Sequence, residues 1–113
     1  MGLKLAIGDN ARADIRGYYK DHHGSTRAYE FVLEGVRFNQ DEINDMTSDE
    51  GLKASEALEK KITGWQNQNL VLQEDDTPAP FSKEAFRLLL NIPGMPGTCL
   101  NAYVKACAVT SKN

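Results

Sequence analysis

The chain has 113 residues and a formal net charge of −3, from 13 basic and 16 acidic residues. This length predicts a single domain over residues 1–113 that folds without a metal or disulfide staple, and the basic residues are too scattered for a surface that tracks nucleic-acid phosphates. No apolar run is long enough for a signal peptide or a membrane-spanning helix, so we expect neither.

The first predicted element is a short strand near the N-terminus. Leu3, Leu5 and Ile7 alternate with Gly2, Lys4 and Ala6, which is the period of a half-buried strand. The "GDN" that follows has turn chemistry and ends this strand.

A β-hairpin is predicted next, with "ADIRGYYKD" and "RAYEFVLEG" as its arms and "HHGST" as its loop. In the second arm Tyr29, Phe31 and Leu33 fall on one face, which predicts an antiparallel strand with one buried side. Gly35 marks a bulge or a bend before the arm ends.

The period changes at Asn39, where a helix begins. Asn39 as N-cap and Glu42 at the third helical position form a capping box, with Phe38 packing against Ile43 as a hydrophobic staple. The short helix "QDEINDM" therefore has an acidic first turn, which the helix dipole favours. "TSDEG" breaks it, and Thr47 or Ser48 caps the next helix.

A second helix is predicted over "LKASEALEKKITGW". Leu58, Ile62 and Trp65 have helical spacing, and Gly64 near the end terminates the helix with Trp65 folded back over the core. In the long link that follows, residues 70–72 form either a brief strand or a plug of the core.

Two further helices complete the chain. The first begins at Ser82 as N-cap, with Phe81 and Phe86 as its staple, and stops at Pro93-Gly94. The last begins near Pro96 and carries an apolar stripe at helical spacing. Its members are Cys99, Leu100, Tyr103, Val104 and Cys107. The order of elements predicts an α+β fold, with antiparallel strands in residues 1–38 and three to four short helices in residues 39–110.

No constellation of residues predicts catalysis or a cofactor. The adjacent His22 and His23 lie beside Asp21 in the hairpin loop, where they suit an exposed tip better than a metal site. Cys99 and Cys107 are eight residues apart on one helix, too far for a disulfide, and read as buried thiols of a reducing cytoplasm. We therefore expect a protein that is not an enzyme and holds neither metal nor cofactor.

Two blocks of the chain carry a distinctive order of motifs. The first is "IRGYYKDHHGSTRAYEFVLEGVRFNQDEIND", a hairpin that runs into a capped helix. The second is "ITGWQNQNLVLQEDDTPAPFSKEAFRLLLNIPGMPGTCLNAYVKA", with a Trp, an acidic turn, a Pro-x-Pro-Phe-Ser helix start, a Leu-rich helix, a Pro-Gly and an Ala-Tyr. Together they resemble the small tail assembly chaperones of long-tailed bacteriophages and prophages, from about residue 13 to 107. The positions that match the family's motifs are Gly17, Asp21, Gly24, Phe31, Leu33, Arg37, Asp41, Glu42, Trp65, Pro80, Phe81, Ser82, Leu89, Leu90, Pro93, Gly94, Ala102 and Tyr103. The chain departs from the pattern at Thr77, where the family often has Gly, and at Phe38, where Leu is commoner.

The resemblance implies a non-enzymatic helper in the host cytoplasm. Such proteins bind the tape measure protein, keep it soluble and recruit tail tube subunits around it. For this chain the hypothesis also predicts weak self-association. As partner-binding residues we predict Leu100, Tyr103, Val104 and Trp65, although the core competes for the same side chains. The alternatives are a structural tail component that stays in the virion, and a small ligand- or metal-binding domain that uses the hairpin-loop histidines.

Overall fold

The computed structural model describes residues 2–47 and 52–111, and these form an α+β fold, as the order of patterns predicts. The three strands make one antiparallel sheet in the order β1-β2-β3. The elements are β1 (Asn10–Lys20), β2 (Thr26–Val36), α1 (Gln40–Thr47), α2 (Leu52–Lys61), β3 (Ile62–Gln66), α3 (Lys83–Leu90) and α4 (Met95–Cys107). No helix among the described residues is long and apolar enough to cross a membrane.

The predicted hairpin is confirmed. Strands β1 and β2 pair without interruption from Asn10 opposite Val36 to Lys20 opposite Thr26. The loop closes because Gly24 adopts a φ of 81°, which favours glycine, and because the Asp21 carboxylate accepts bonds from the loop backbone.

Strand β3 corrects the predicted second helix. The helix ends at Lys61, and "ITGWQ" is a strand that pairs with β2 from Val32 to Gly35. The predicted irregularity at Gly35 is confirmed as a register shift between Glu34 and Gly35. A Cβ at Gly35 would collide with the backbone of Lys61 and Ile62, so glycine is what lets the helix turn directly into the strand. Ile62 is buried, as predicted, but from a strand rather than from a helix.

The core lies between the inner face of the sheet and the helices. Alternate residues of β1 are buried or nearly so, and Phe31 and Leu33 of β2 lie beside them. The predicted stripe of α3 is confirmed, since Phe86, Leu89 and Leu90 are all buried. Helix α4 crosses the inner face of β1, where the small side chains of its first half allow a close approach.

The predicted N-terminal strand is wrong. Residues 2–9 pair with no strand among the described residues, and a turn closed by Gly8 N–H donating to Leu5 O (3.2 Å) interrupts them. Leu3, Leu5 and Ile7 are 105%, 70% and 50% exposed. The alternation is that of a strand, but a strand needs a neighbour for its backbone groups, and this segment lies against none.

The helix signals that depend on adjacent residues are confirmed. Ser82 Oγ accepts from Ala85 N–H at 3.0 Å, and the Phe81 and Phe86 rings lie 5.6 Å apart. Pro96 occupies the first turn of α4. In the long link, Val71 is the buried plug, whereas Leu72 makes only an isolated bridge to Pro78. Of the two residues predicted to cap the second helix, Thr47 is the last residue of α1, and Ser48 lies outside the described residues.

Candidate partner-binding surface

Helix α1 is fixed at its start by the predicted capping box. Asn39 N–H donates to Glu42 Oε1 at 2.9 Å, and Glu42 N–H donates to Asn39 Oδ1 at 2.8 Å. Glu42 also pairs with Lys61 at the end of α2, at 2.7 Å. The Lys61 ammonium, and then the Asn39 N–H, hold the pKa of the Glu42 carboxyl below its ordinary value. These bonds set the orientation of α1 and so the direction in which its apolar residues face.

Helix α4 is fixed at its C-terminal end by Arg37. The guanidinium donates to Cys107 O at 2.8 Å and to Asn10 O at 3.0 Å, with longer bonds to Ala106 O and Ile7 O. A cation at the last carbonyls of a helix also complements the helix dipole. Arg37 Nε is buried and has no partner among the described residues. One side chain thus ties the C-terminal end of α4 to the start of β1.

The residues of α4 divide between core and surface according to their position on the helix. Met95, Cys99, Tyr103 and Cys107 repeat every four residues and are buried. Leu100 and Val104, each one position later, are only half-buried. A rotation of about 100° per residue places this second pair on the flank of the helix rather than on its base.

This flank of α4 and the apolar side of α1 enclose an open groove of about 410 Å³. Ile43 and Met46 form the α1 wall, and Leu100 and Val104 form the α4 wall. Asn101 and Lys105 lie at its rim. We name it the α1/α4 groove. Its apolar lining, open to solvent and bounded by two helices, suits the apolar face of a third helix.

The structure separates the four predicted partner-binding residues. Leu100 and Val104 line the α1/α4 groove, but Tyr103 is 0% exposed and its hydroxyl donates to Val36 O at 2.5 Å. Burial also raises the pKa of the Tyr103 phenol well above its ordinary value. In this conformation Tyr103 is a core residue and cannot touch a partner.

Trp65 belongs to a different part of the molecule. Its ring meets Phe81 at 5.3 Å and Phe86 at 6.3 Å between centroids, and its Nε1 donates to Ala79 O at 3.1 Å. The neighbouring Gln68 is 2% exposed and makes four bonds to the same link. Its amide nitrogen donates to Val71 O and Ala79 O, and its amide oxygen accepts from Leu70 N–H and Val71 N–H. Trp65 and Gln68 therefore hold the link over residues 67–80 against the core.

Comparison of the chain with protein-family models, with curated proteins and with solved structures finds no match in any of the three. The function must therefore be argued from the geometry of the surface and from the order of motifs in the sequence.

The other side chains that could be reactive, Cys99 and Asp21, have structural roles. Burial raises the pKa of the Cys99 thiol to about 12, so it stays protonated and unreactive near neutral pH. The Asp21 carboxylate already accepts from His23 N–H, Ser25 N–H and Arg27 Nε, each at 2.9 Å. Within residues 2–47 and 52–111, no group of three or more His, Cys, Asp or Glu side chains is placed to hold a metal ion.

The α1 wall of the groove is the part that the sequence did not predict. Ile43 was expected as the partner of a staple, and Met46 was not expected to have a role. The signal for this wall was the spacing of three residues between Ile43 and Met46 on a short polar helix. This spacing places both apolar side chains on one side of the helix, and such a side tends to pack against another apolar surface.

Proposed function

We propose that this protein is a tail assembly chaperone that binds the tape measure protein of a long-tailed phage through the α1/α4 groove. The observation that carries the proposal is the groove itself, with four half-buried apolar side chains contributed by two separately anchored helices. An unassembled tape measure exposes long apolar helical faces, which aggregate unless they are covered. The resemblance of the motif order to this family and the apolar lining of the groove both support the proposal.

The fit defines the chemistry of the bound segment. Along α4, Leu100 and Val104 are separated by one turn, and Ile43 and Met46 face them from α1. A bound helix would therefore present apolar residues at i, i+3 or i+4, and i+7 to both walls. The protein needs no cofactor for this role, and it would act in the host cytoplasm and pass the covered tape measure to tail tube subunits.

The experiment is co-expression with the tape measure protein, followed by capture of this protein from the soluble fraction. Leu100→Glu and Met46→Glu place a charge in opposite walls of the groove, and each should reduce capture by at least about tenfold, since burying an unpaired carboxylate costs more than about 1.4 kcal/mol. The matched control is Leu88→Glu on α3, because Leu88 is 61% exposed and lies outside the groove. Urea unfolding of each variant checks that the fold is retained.

Two results would overturn the proposal. In the first, the tape measure stays insoluble whether or not this protein is present. In the second, all three variants capture it equally well. The structural alternative, a subunit retained in the virion, predicts that the protein forms rings or tubes alone and is found in purified particles. A rise in melting temperature with divalent metal ions would instead support the ligand-binding alternative at the hairpin loop.

A further inference from the structure

Strand β1 has an outer edge that is unpaired along its whole length among the described residues, since it is the first strand of the sheet and pairs only with β2. Its backbone bonds toward β2 are made by alternate residues. Asp21 N–H donates to Ser25 O at one end of the hairpin, and Arg37 N–H donates to Asp9 O at the other. In an antiparallel ladder this parity persists, so the even-numbered residues of β1 direct their N–H and C=O groups outward.

The segment before β1 also lacks a neighbouring strand in the described part of the chain. Residues 2–8 have strand alternation and exposed apolar side chains, and their backbone groups pair with no strand among the described residues. Their backbone bonds are those of Gly8 N–H to Leu5 O and of Arg37 to Ile7 O. Residues 2–8 fold back only through the turn at Gly8, which has a φ of 79° and no other atoms near the position of a Cβ. Glycine reaches an extended conformation as easily as this one, so Gly8 is a hinge through which the segment can straighten.

An antiparallel addition of this segment to the outer edge of β1 has few registers. Odd residues of the segment must lie beside odd residues of β1 for the leucines to reach the core face. Three such registers keep residues 3–7 within β1, and they place Lys4 opposite Asp14, Arg16 or Tyr18. Only the first puts opposite charges together, and like charges directly opposite each other are destabilising.

The same register also gives a good fit on the core face. Leu5 would lie beside Ala13 and Ile7 beside Ala11, so large side chains meet small ones, and Leu3 would lie beside Ile15. Helix α4 packs against β1, and Arg37 holds its C-terminal end near Asn10, so the added side chains would lie on the same face of the sheet as α4. On the solvent face the backbone-bonded pairs would be Gly2 with Arg16, Lys4 with Asp14, Ala6 with Arg12, and Gly8 with Asn10.

We propose that two copies of this protein exchange their N-terminal segments, residues 2–8 of each pairing with residues 10–16 of β1 in the other. The register places a two-fold axis at Asp9, where β1 and its extension form one continuous strand antiparallel to that of the second copy. Each α4 lies over residues on its own side of the axis, because Arg37 fixes its C-terminal end at the start of β1.

The exchange has a cost at the axis and a consequence for assembly. Asp9 of each copy would lie opposite its equivalent, so Asp9→Asn should strengthen the dimer. A two-fold exchange is closed and uses the same surface on both copies, so it ends at a dimer and does not propagate into a tube. This inference does not depend on the α1/α4 groove and would hold if the proposed function failed.

The first test is sedimentation equilibrium of the whole chain over a range of concentrations. The wild-type chain should form a dimer, and Leu5→Asp should weaken it by about tenfold to a hundredfold, as expected for a leucine that becomes buried. Because Leu5 is 70% exposed, the variant should fold normally, and Leu88→Asp is the control of similar exposure. Lys4→Asp and Asp14→Lys should each weaken the dimer, and the two together should restore it.

The second test fixes the register and the source of the added strand. A chain with Lys4→Cys and Asp14→Cys should form a disulfide-linked dimer under mild oxidation, because the paired Cα atoms would be about 5.5 Å apart. A chain with Lys4→Cys and Tyr18→Cys, of the same parity but another register, should not. A monomer at all concentrations, a dimer indifferent to Leu5→Asp, or a disulfide formed only within one chain would each overturn the exchange.

Discussion

Tyr103→Phe tests whether this residue belongs to the core or to the binding surface. The change removes one oxygen and leaves the ring, which meets Phe38 edge-on at 5.7 Å between centroids. What is lost is the 2.5 Å bond from the Tyr103 hydroxyl to Val36 O, in a site where the side chain is 0% exposed. A net hydrogen bond is worth about 1 kcal/mol, and the Val36 carbonyl left without its donor adds to that cost. We expect the free energy of unfolding to fall by about 1–2 kcal/mol.

The assay is urea unfolding monitored by Trp65 fluorescence, with thermal unfolding as a second measure. An unfolding entropy of about 2.1 cal/mol/K per residue over 113 residues converts the loss to about 4 °C of Tm per kcal/mol, so about 4–8 °C in all. Tyr18→Phe is the control, because Tyr18 is 77% exposed and should change the stability by less than about 0.5 kcal/mol. Capture of the tape measure by folded Tyr103→Phe should equal that of the wild type. Unchanged stability together with lost capture would refute the placement of Tyr103 in the core.

Three further predictions concern the scaffold. Gln68→Ala removes the four hydrogen bonds of a buried side chain and should lower the free energy of unfolding by about 2–4 kcal/mol. Asn69→Ala, at an exposed neighbour, should change it little, and equal effects in urea would contradict the role of Gln68. Gly35→Ala forces a methyl group against the Lys61 backbone, so the free energy of unfolding should fall by about 1–3 kcal/mol. The near-ultraviolet spectrum of the tryptophan should also change. An unchanged spectrum and stability would contradict the tight bulge at Gly35. Burial raises the pKa of the Cys99 thiol from 9.0 to about 12. Its stabilising contribution is therefore complete below pH 9 and is lost as the pH rises toward 12. Cys99→Ala should flatten this decline, and an identical decline would contradict the burial of the thiol.

The features that the sequence predicted correctly depend on residues close together in the chain. A capping box, a staple or a hairpin loop is decided within about ten residues, and Asn39, Ser82 and Gly24 behave as their neighbours predict. The prediction for residues 62–65 was wrong because Ile62 and Trp65 continue the helical spacing of α2. What decided between helix and strand was Gly35, some thirty residues away, which offers β3 an edge to pair with.

The α1/α4 groove, which we propose as the binding surface, was predictable only in part for a related reason. The stripe on α4 was correct as a set of apolar residues, but the sequence does not say which side of a wide stripe faces inward. Tyr103 and Val104 are adjacent in the chain, yet Tyr103 is buried and Val104 lines the groove. The rotation of α4 about its own axis is set by the bonds from Arg37 to Cys107 O and from the Tyr103 hydroxyl to Val36 O. Those bonds join residues about 67 to 70 positions apart and leave no local pattern.

The failed prediction at residues 3–7 differs from the others in kind. The last four residues of the predicted second helix, 62–65, form another regular element with its own pairing. The N-terminal alternation is instead replaced by an exposed turn that pairs with no strand in the part of the chain that the structure describes, with only the bonds of Gly8 N–H to Leu5 O and of Arg37 to Ile7 O. A segment whose pattern disagrees with its structure, and where no other regular element takes the place of the predicted one, points to an interaction absent from the single chain. This segment has no neighbouring strand within residues 2–47 and 52–111. The unpaired edge of β1 has the length and the parity to serve as one, with small side chains at Ala11 and Ala13. In the single chain the prediction of a strand is wrong, and the second copy in the exchange proposed above is where we expect this segment to pair.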